Sequence, residues 1–304
     1  MQTMRWRWLT ALVLALGVLV AAGCGDDDDQ AGGGDQAGGG ETATTQKRTF
    51  AAGTTMAKLQ DAGEITIGVK FEVPPFGAKN PTSGEVEGFD IDLGKAVADE
   101  LGVKPKYIEA LTDNRIAFLK KGTADLILST MTITAERDEE IDFSEPYFVA
   151  KGRILVKKSD SSIKGVDDLA GKKVCTALGS TYEETLKKQA PKAKLSLPEA
   201  YSDCLELIQN GGVDAEATDD VILTGQIIGD DSLKLVGDVL TTEPYGAGVK
   251  EGDKAFQDFV NEVFDKYKSD GRWATAYEKW VGRYTGEDQE PTTMQLQEAL
   301  DLSK

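Results

Sequence analysis

Short strand patterns alternate with amphipathic helix patterns along most of the chain, and this alternation limits the possible folds more than any other feature. EITIGVKF has apolar residues at every second position from Ile65, which is typical of a strand. GFDIDLGKAVADELG follows with apolar residues at helical spacing and ends on Gly102, which predicts a helix with a glycine stop. Strands that alternate with helices in this way predict an α/β fold with mostly parallel sheets.

Two distant segments share a Glu-Pro-Tyr core, and the strand–helix alternation restarts after the first of them. FSEPYFVAKGRILV begins at Phe143, and TTEPYGAGV begins at Thr241. We interpret them as two crossings between a pair of α/β lobes. Lobe 1 is then discontinuous and consists of residues 54–146 and 245–284, and lobe 2 consists of residues 147–244. Ligands of open α/β sheets bind beyond the carboxyl ends of the strands, so the cleft between the lobes is the predicted site.

Charge and composition exclude several classes of function. The chain has 34 Lys and Arg against 52 Asp and Glu, which gives a formal net charge of -18. Such a charge argues against a nucleic-acid partner. The sequence contains no histidine, so Ser-His-Asp and Cys-His enzymes are excluded and the commonest zinc ligand is missing. We predict neither a cofactor nor a metal site.

The N-terminus has the features of an export signal. Arg5 and Arg7 precede an apolar run, and Ala-Ala-Gly leads into Cys24. A cysteine after small residues resembles a bacterial lipobox, in which the cysteine is lipidated. We therefore interpret residues 1–24 as a signal peptide with its lipobox cysteine, and a plain secretory signal is the alternative. The protein would then be exported and anchored by lipid to the outer face of the cell membrane.

Residues 25–53 are mostly Gly and polar residues without apolar periodicity, which predicts a disordered tether. Residues 285–304 are predicted to form a polar, peripheral C-terminal tail. Within the folded part, Cys175 and Cys204 belong to an exported domain, where a disulfide is expected. Two buried free thiols are the alternative.

Polar residues at predicted strand ends form a coherent set of candidate ligand groups. Thr130 and Thr132 follow the strand ADLIL, and Arg137 could bind a carboxylate with its guanidinium or pair with Glu139 or Asp142 at the surface. Thr134 has the position of a helix N-cap.

Two more strand ends carry polar groups. Ser180 and Thr181 open a helix whose free N–H groups suit an anion, unless they only cap that helix. Asp219 follows the strand VDAEAT and could accept an ammonium group or cap the next helix. Two anion sites and one cation site match a zwitterion.

The region from Ile65 to Gly282 resembles the polar amino-acid-binding proteins of ABC importers, solute-binding protein family 3, and most of all the glutamate-binding lipoproteins. The motifs that carry the resemblance are PPF, GFDIDLGKAVADELG, TMTITAERDEEIDFSEPY, DLAGKKV and DGRWATAYEKWVG. It implies a two-lobed, periplasmic-binding-protein-like fold with two hinge crossings. It also implies a receptor that closes on an amino acid and delivers it to a permease. We further expect a monomer that is not an enzyme.

The resemblance assigns roles by position in these motifs. Thr132 and Arg137 would hold the ligand α-carboxylate, and Thr181 with Ser180 would add to this site from the second lobe. Family members often cover the ligand with an aromatic side chain just before PPF, where this sequence has Val73. Phe71 or Phe76 would then have to take that role.

The remaining roles concern the ammonium group and the side chain. The Thr130 carbonyl and Asp219 would bind the α-ammonium. Lys70 falls where receptors for basic amino acids have an acid, so it would repel a cationic side chain and attract a γ-carboxylate. A solvated lysine at a strand end is the alternative. Arg115 belongs to an NRI segment that is typical of glutamate and aspartate members.

These roles predict capture of L-glutamate, with aspartate or glutamine as further possibilities. A receptor of the same fold with another specificity is one alternative. A dehydratase-type enzyme on this fold is the other.

Overall fold

A computed structural model describes residues 48–304. The predicted signal peptide, Cys24 and most of the predicted tether lie outside the described residues. Within residues 48–304, no helix is long and apolar enough to cross a membrane.

Fourteen strands and eleven α-helices make up the described part of the chain. The strands are β1 (Glu64–Val69), β2 (Glu72–Val73), β3 (Gly77–Lys79), β4 (Val86–Glu87), β5 (Lys104–Glu109), β6 (Leu126–Ile127), β7 (Asp142–Phe143), β8 (Phe148–Lys157), β9 (Lys173–Cys175), β10 (Lys194–Ser196), β11 (Ala215–Asp219), β12 (Leu233–Val236), β13 (Thr242–Tyr245) and β14 (Gly248–Val249). The helices are α1 (Thr55–Ala62), α2 (Phe89–Leu101), α3 (Arg115–Lys121), α4 (Ala135–Asp138), α5 (Tyr182–Gln189), α6 (Tyr201–Asn210), α7 (Asp220–Gly229), α8 (Lys254–Ser269), α9 (Arg272–Tyr277), α10 (Arg283–Thr285) and α11 (Leu296–Asp301).

The first large sheet has five strands in the order β5-β1-β6-β14-β7. β1 pairs in parallel with β5 and β6, and β14 pairs antiparallel with β6 and β7. Helix α2 packs against β1 and ends where Gly102 adopts a left-handed conformation with φ 71°, as the sequence predicts. β2, β3 and β4 form a separate small sheet.

The second large sheet has the order β10-β9-β11-β8-β12, with β13 also paired to β8. β8 directly follows the first Glu-Pro-Tyr sequence and β13 contains the second, and the two strands run antiparallel side by side with Phe148 opposite Tyr245. The two crossings predicted from the sequence therefore form one two-stranded ribbon. The predicted α/β class and two-lobed architecture are confirmed, and the lobe boundaries stay a prediction.

Aromatic side chains fill the core beside this ribbon. Phe148 of β8 lies 5.0 Å from Phe76 and 5.8 Å from Tyr245 between ring centroids. Trp273 is buried against the same cluster and donates its indole N–H to the Tyr147 carbonyl at 2.8 Å. Large buried aromatic surfaces contribute strongly to stability, so this core fixes the position of both crossings.

Cys175 and Cys204 form the predicted disulfide, with a Cα–Cα distance of 5.6 Å. Both cysteines are fully buried in an apolar cluster of the second sheet, together with Leu155 and Ile208. The bridge ties β9 to α6. The alternative of two free thiols is therefore not what the structure shows.

The C-terminal segment differs from the predicted peripheral tail. Residues 285–304 contain α11, which starts with a capping box at Gln295 and buries Ala299 completely. Its apolar residues pack against the first sheet, and the Ser303 hydroxyl accepts a hydrogen bond from the Ala135 N–H at 2.8 Å. The polar composition of the segment did not predict this contact, because only a few apolar residues make it.

Candidate functional site

A small polar space lies where β5, β6 and β11 end and α5 begins. Seven of the eight residues predicted from the sequence to bind a ligand line this space, and their role in binding stays a prediction. The eighth, Lys70, donates a hydrogen bond from Nζ to the Thr112 hydroxyl in its wall at 2.6 Å. The residues that line the space are Thr112, Arg115, Thr130, Thr132, Arg137, Ser180, Thr181, Tyr182, Tyr201 and Asp219.

Thr130 has a left-handed backbone conformation with φ 44°, which is strained for a β-branched residue. Its N–H donates to the carboxylate of buried Asp90 at 2.9 Å, and the Tyr147 hydroxyl donates to the other oxygen of Asp90 at 2.8 Å. Burial raises the pKa of Asp90 to about 7, although both hydrogen bonds favour the charged form. A buried carboxyl group thus holds the turn that presents the Thr130 carbonyl.

Arg115 is 2% exposed, and its guanidinium is held by main-chain carbonyls. Nε donates to Thr112 at 2.9 Å, and Nη1 donates to Ser129 at 2.9 Å and to Thr130 at 3.2 Å. Within residues 48–304, Nη2 has no protein acceptor and no carboxylate forms an ion pair with Arg115. Burial and, after it, the charge of Arg137 lower the pKa of Arg115 to about 9. This oriented guanidinium is suited to an anionic or amide oxygen.

Arg137 joins the two sides of the cleft. Nη1 donates to the Thr132 carbonyl at 2.7 Å, and Nη2 donates to the Gly179 carbonyl at 3.0 Å. In the part of the chain that the structure describes, Arg137 forms no ion pair with Glu139 or Asp142, which was the surface alternative. Three guanidinium N–H groups remain beyond these two bonds, so a carboxylate can still be bound.

Thr134 caps α4, as predicted, because its hydroxyl accepts a hydrogen bond from the Arg137 N–H at 3.2 Å. The cap fixes the first turn of α4 and with it the start of the Arg137 side chain. Thr134 therefore supports the site through the backbone.

The hydroxyls of Thr132 and Thr181 meet at one residue that the sequence did not indicate as a site residue. Both donate to Oε2 of Glu243, at 2.7 Å and 3.1 Å. Their backbone N–H groups have no hydrogen-bond acceptor among residues 48–304. Two free N–H groups, one on each side of the cleft, are therefore available for an anion.

Ser180 and Thr181 were predicted either to bind an anion or to cap a helix. Thr181 has the N-cap position of α5, but its side chain makes no capping hydrogen bond. The Ser180 hydroxyl instead lies 2.9 Å from the Thr176 hydroxyl. Side-chain capping is thus not the role of either residue.

Asp219 is held by two tyrosine hydroxyls and is 4% exposed. Tyr182 donates to Oδ1 at 2.8 Å and Tyr245 donates to Oδ2 at 2.7 Å, and no side-chain cap of α7 is formed. Burial and then the charge of Glu243 raise the pKa of Asp219 to about 8, although both tyrosines oppose this shift. A buried carboxyl group without a cationic partner in the described region is suited to an ammonium ion.

Lys70 is 1% exposed, so the alternative of a solvated strand-end lysine is not what the structure shows. Its Nζ lies 5.7 Å from the ring centroid of Tyr201. Burial and then Arg115 lower the pKa of Lys70 to about 7. The ammonium group is therefore desolvated and close to its own titration point at neutral pH.

The sequence did not indicate Thr112, Tyr182, Tyr201 or Glu243 as site residues. Tyr201 begins α6 and lies far from the motifs, so no local pattern links it to Lys70. Glu243 was recognised only as part of a crossing. Phe71 and Phe76, considered as lids, do not line the space, and Phe76 is buried in the aromatic core.

Two further contacts show how closely the sides of the cleft approach each other. Oε2 of Glu72 accepts a hydrogen bond from the Ser202 N–H at 3.2 Å. On α7, a Cβ added to Gly225 would lie 1.7 Å from the Pro74 carbonyl oxygen. Only a glycine permits this approach.

No cluster of three or more potential metal ligands from His, Cys, Asp or Glu occurs among residues 48–304. The site is instead built from three cations, two carboxyl groups and free N–H groups. Positive and negative groups converge on one small space, which suits a small zwitterion.

Comparisons with known proteins identify the family of the chain. Residues 65–283 match the family described as bacterial extracellular solute-binding proteins, family 3. The ABC transporter glutamine-binding protein GlnH of Bacillus subtilis is 42% identical over 231 residues, which cover 75% of this chain and 84% of the relative. The glutamate-binding protein GluB of Corynebacterium glutamicum is 30% identical over 240 residues, which cover 74% of this chain and 80% of the relative.

Among solved structures, an ancestral arginine-binding protein bound to glutamine is 39% identical with a TM-score of 0.69. The match covers 72% of this chain and 98% of that protein. The relatives are named as binding proteins, which agrees with the prediction that the chain is not an enzyme. The chain therefore belongs to the bacterial extracellular solute-binding proteins of family 3.

Proposed function

We propose that the protein is the substrate receptor of an ABC importer and captures a five-carbon polar amino acid, L-glutamate first. The observation that carries the proposal is that groups suited to an anion and a carboxyl group suited to a cation line the same small space. Arg137 and the free N–H groups of Thr132 and Thr181 form the anion side, and the carboxyl group of Asp219 forms the cation side. An α-amino acid carries both charges at the spacing of one carbon.

The side chain of the ligand would meet Lys70 and Arg115. Both are buried cations, and neither forms an ion pair within the described residues. A γ-carboxylate placed between them would form charge-assisted hydrogen bonds, whereas a guanidinium or ammonium would be repelled. This arrangement supports an acidic ligand over a basic one.

L-Glutamine is the second candidate, and a specific observation favours it. Because the pKa of Lys70 lies at about 7, part of the population holds a neutral amine at neutral pH. A neutral amine together with the Thr112 hydroxyl can bind a carboxamide. Glutamine also appears in the names of GlnH and of the ancestral protein bound to glutamine, which supports this second candidate.

Delivery to a permease, export and a lipid anchor at Cys24 complete the proposed function. We propose that the receptor acts as a monomer on the outer face of the membrane. Mass spectrometry of protein isolated from cells tests the anchor. A lipid-modified N-terminal Cys24 supports it, and an unmodified, freely secreted protein would overturn it. C24A should be released from the membrane.

Calorimetric titration with L-glutamate, L-glutamine, L-aspartate and L-arginine tests the specificity. The expected order places glutamate or glutamine tightest and arginine weakest. K70M should weaken glutamate more than glutamine because it removes a charge. If arginine binds tightest, or if K70M weakens both equally, Lys70 does not select the side chain.

A further inference from the structure

Glu243 lies on the second crossing strand and connects both sides of the candidate site. It is 2% exposed, and a single oxygen, Oε2, accepts from the hydroxyls of Thr132 and Thr181. Thr132 follows β6 of the first sheet, and Thr181 precedes α5 beside the second. No cation forms an ion pair with Glu243 within residues 48–304, so the two hydroxyls are its hydrogen-bond donors there.

Each threonine hydroxyl has one proton and two acceptor lone pairs. Both hydroxyls donate to Oε2, so both protons point to Glu243. The lone pairs of the two hydroxyls are then the groups that remain for a ligand. A hydroxyl in this state accepts from an ammonium group and repels a carboxylate.

We propose that Glu243 is a positioning residue that sets the polarity of the Thr132 and Thr181 hydroxyls and makes them acceptors for the ligand α-ammonium. This rests on the proposed binding of an α-amino acid and refines it. The α-carboxylate is bound by Arg137 and the free N–H groups, and the α-ammonium by Asp219, the Thr130 carbonyl and the two hydroxyls.

The position of Asp219 agrees with this division. Tyr245 donates to Asp219 from the same strand that carries Glu243, two residues further along. Residues two apart on a strand share one face, so the crossing strand supports both the carboxyl group and the hydroxyls. The acceptors for an ammonium group thereby come from both sides of the cleft and are connected by one crossing strand.

The first crossing offers a matched control. Glu145 has the same place in its Glu-Pro-Tyr segment, but its carboxylate accepts from the Leu296 N–H of the C-terminal helix and does not line the site. E145Q therefore makes the same chemical change in the same motif away from the cleft. It should leave ligand binding unchanged.

The test compares L-glutamate with glutarate, which lacks the α-ammonium group, in the wild type, E243Q and E145Q. The side-chain amide of a glutamine at position 243 can donate to the oxygen of a threonine hydroxyl. The proton of that hydroxyl can then point into the cleft. We expect E243Q to bind L-glutamate about tenfold more weakly, which is the usual effect of losing one hydrogen bond to a charged group. We expect it to bind glutarate as tightly as the wild type does, or more tightly. A purely structural role would weaken both ligands alike.

Equal losses for both ligands, or no change for either, would overturn the proposal. The double variant T132V/T181V removes both hydroxyls directly. It should also lower the ratio of the glutarate Kd to the glutamate Kd, so the proposal stays testable if E243Q does not fold. If the wild type binds another amino acid instead of glutamate, the proposed side-chain specificity fails. The same comparison with that amino acid and its desamino analogue still decides the role of Glu243.

Discussion

The guanidinium of Arg137 donates across the cleft to the carbonyl oxygen of Gly179 at 3.0 Å. The same side chain is predicted to bind the ligand carboxylate. One residue would thus serve both ligand binding and the contact between the two sides.

Replacing Arg137 with lysine should weaken both roles. A lysine keeps the charge but cannot donate in two fixed directions, so we expect amino-acid affinity to fall about 10- to 100-fold. Calorimetric titration measures this loss. R48K is the control because Arg48 forms an exposed ion pair with Glu262 away from the site. Equal affinity of R137K and the wild type would show that Arg137 does not bind the ligand.

The preference for glutamate over glutamine should depend on pH through Lys70. Its pKa of about 7 means that the charged form dominates below this pH and is lost above it. A γ-carboxylate favours the charged form, so the ratio of the glutamine Kd to the glutamate Kd should fall as pH rises from 6 to 8. Titrations at several pH values measure this ratio. In K70M the ratio should vary less with pH, and an unchanged slope would contradict the role of Lys70.

Gly225 should be required for full approach of the two sides. An alanine Cβ would lie 1.7 Å from the Pro74 carbonyl oxygen, whereas one at Gly229 of the same helix meets nothing within 4 Å. We expect G225A to bind the amino acid about tenfold or more weakly, while G229A binds normally. An alanine favours the helix at both positions, so the Tm of unliganded G225A should match that of G229A if the two sides separate without ligand and so relieve the clash. Normal binding by G225A would show that this contact is absent from the bound form.

Removing the disulfide should reduce stability without altering the site. Cys175 and Cys204 are 29 residues apart, and the chain-entropy model gives a loss of about 3–4 kcal/mol for C175A/C204A. Denaturant unfolding measures the change in free energy. Ligand affinity of the folded variant should stay close to that of the wild type because the bridge lies in the apolar core. A loss below about 1 kcal/mol would contradict the entropic account.

The sequence predicted the groups whose position follows from a strand end. Thr132, Thr181 and Asp219 come directly after or beside apolar strand patterns, and parallel strands bring such ends together. The direction of their hydrogen bonds could not be predicted in this way. Glu243 and Tyr201 reach the site through tertiary packing, and no spacing in the sequence relates them to Lys70 or Thr132.

The C-terminal segment illustrates a second limit. Its polar composition predicts a peripheral tail, but burial of Ala299 and a capping box at Gln295 are enough to dock α11. A short helix of this kind gains its stability from the surface on which it packs, and the local pattern does not describe that surface.

The antiparallel ribbon of β8 and β13 has a consequence for how the protein would register its ligand. Glu243 and Tyr245 face the cleft from this ribbon and hold the hydroxyls and the carboxyl group that line it. The strand that links the two halves therefore also supports the candidate site. Glu243 and Tyr245 thus connect the two sides of the cleft and also hold the groups that would contact a ligand, so a ligand bound there would act directly on the connection.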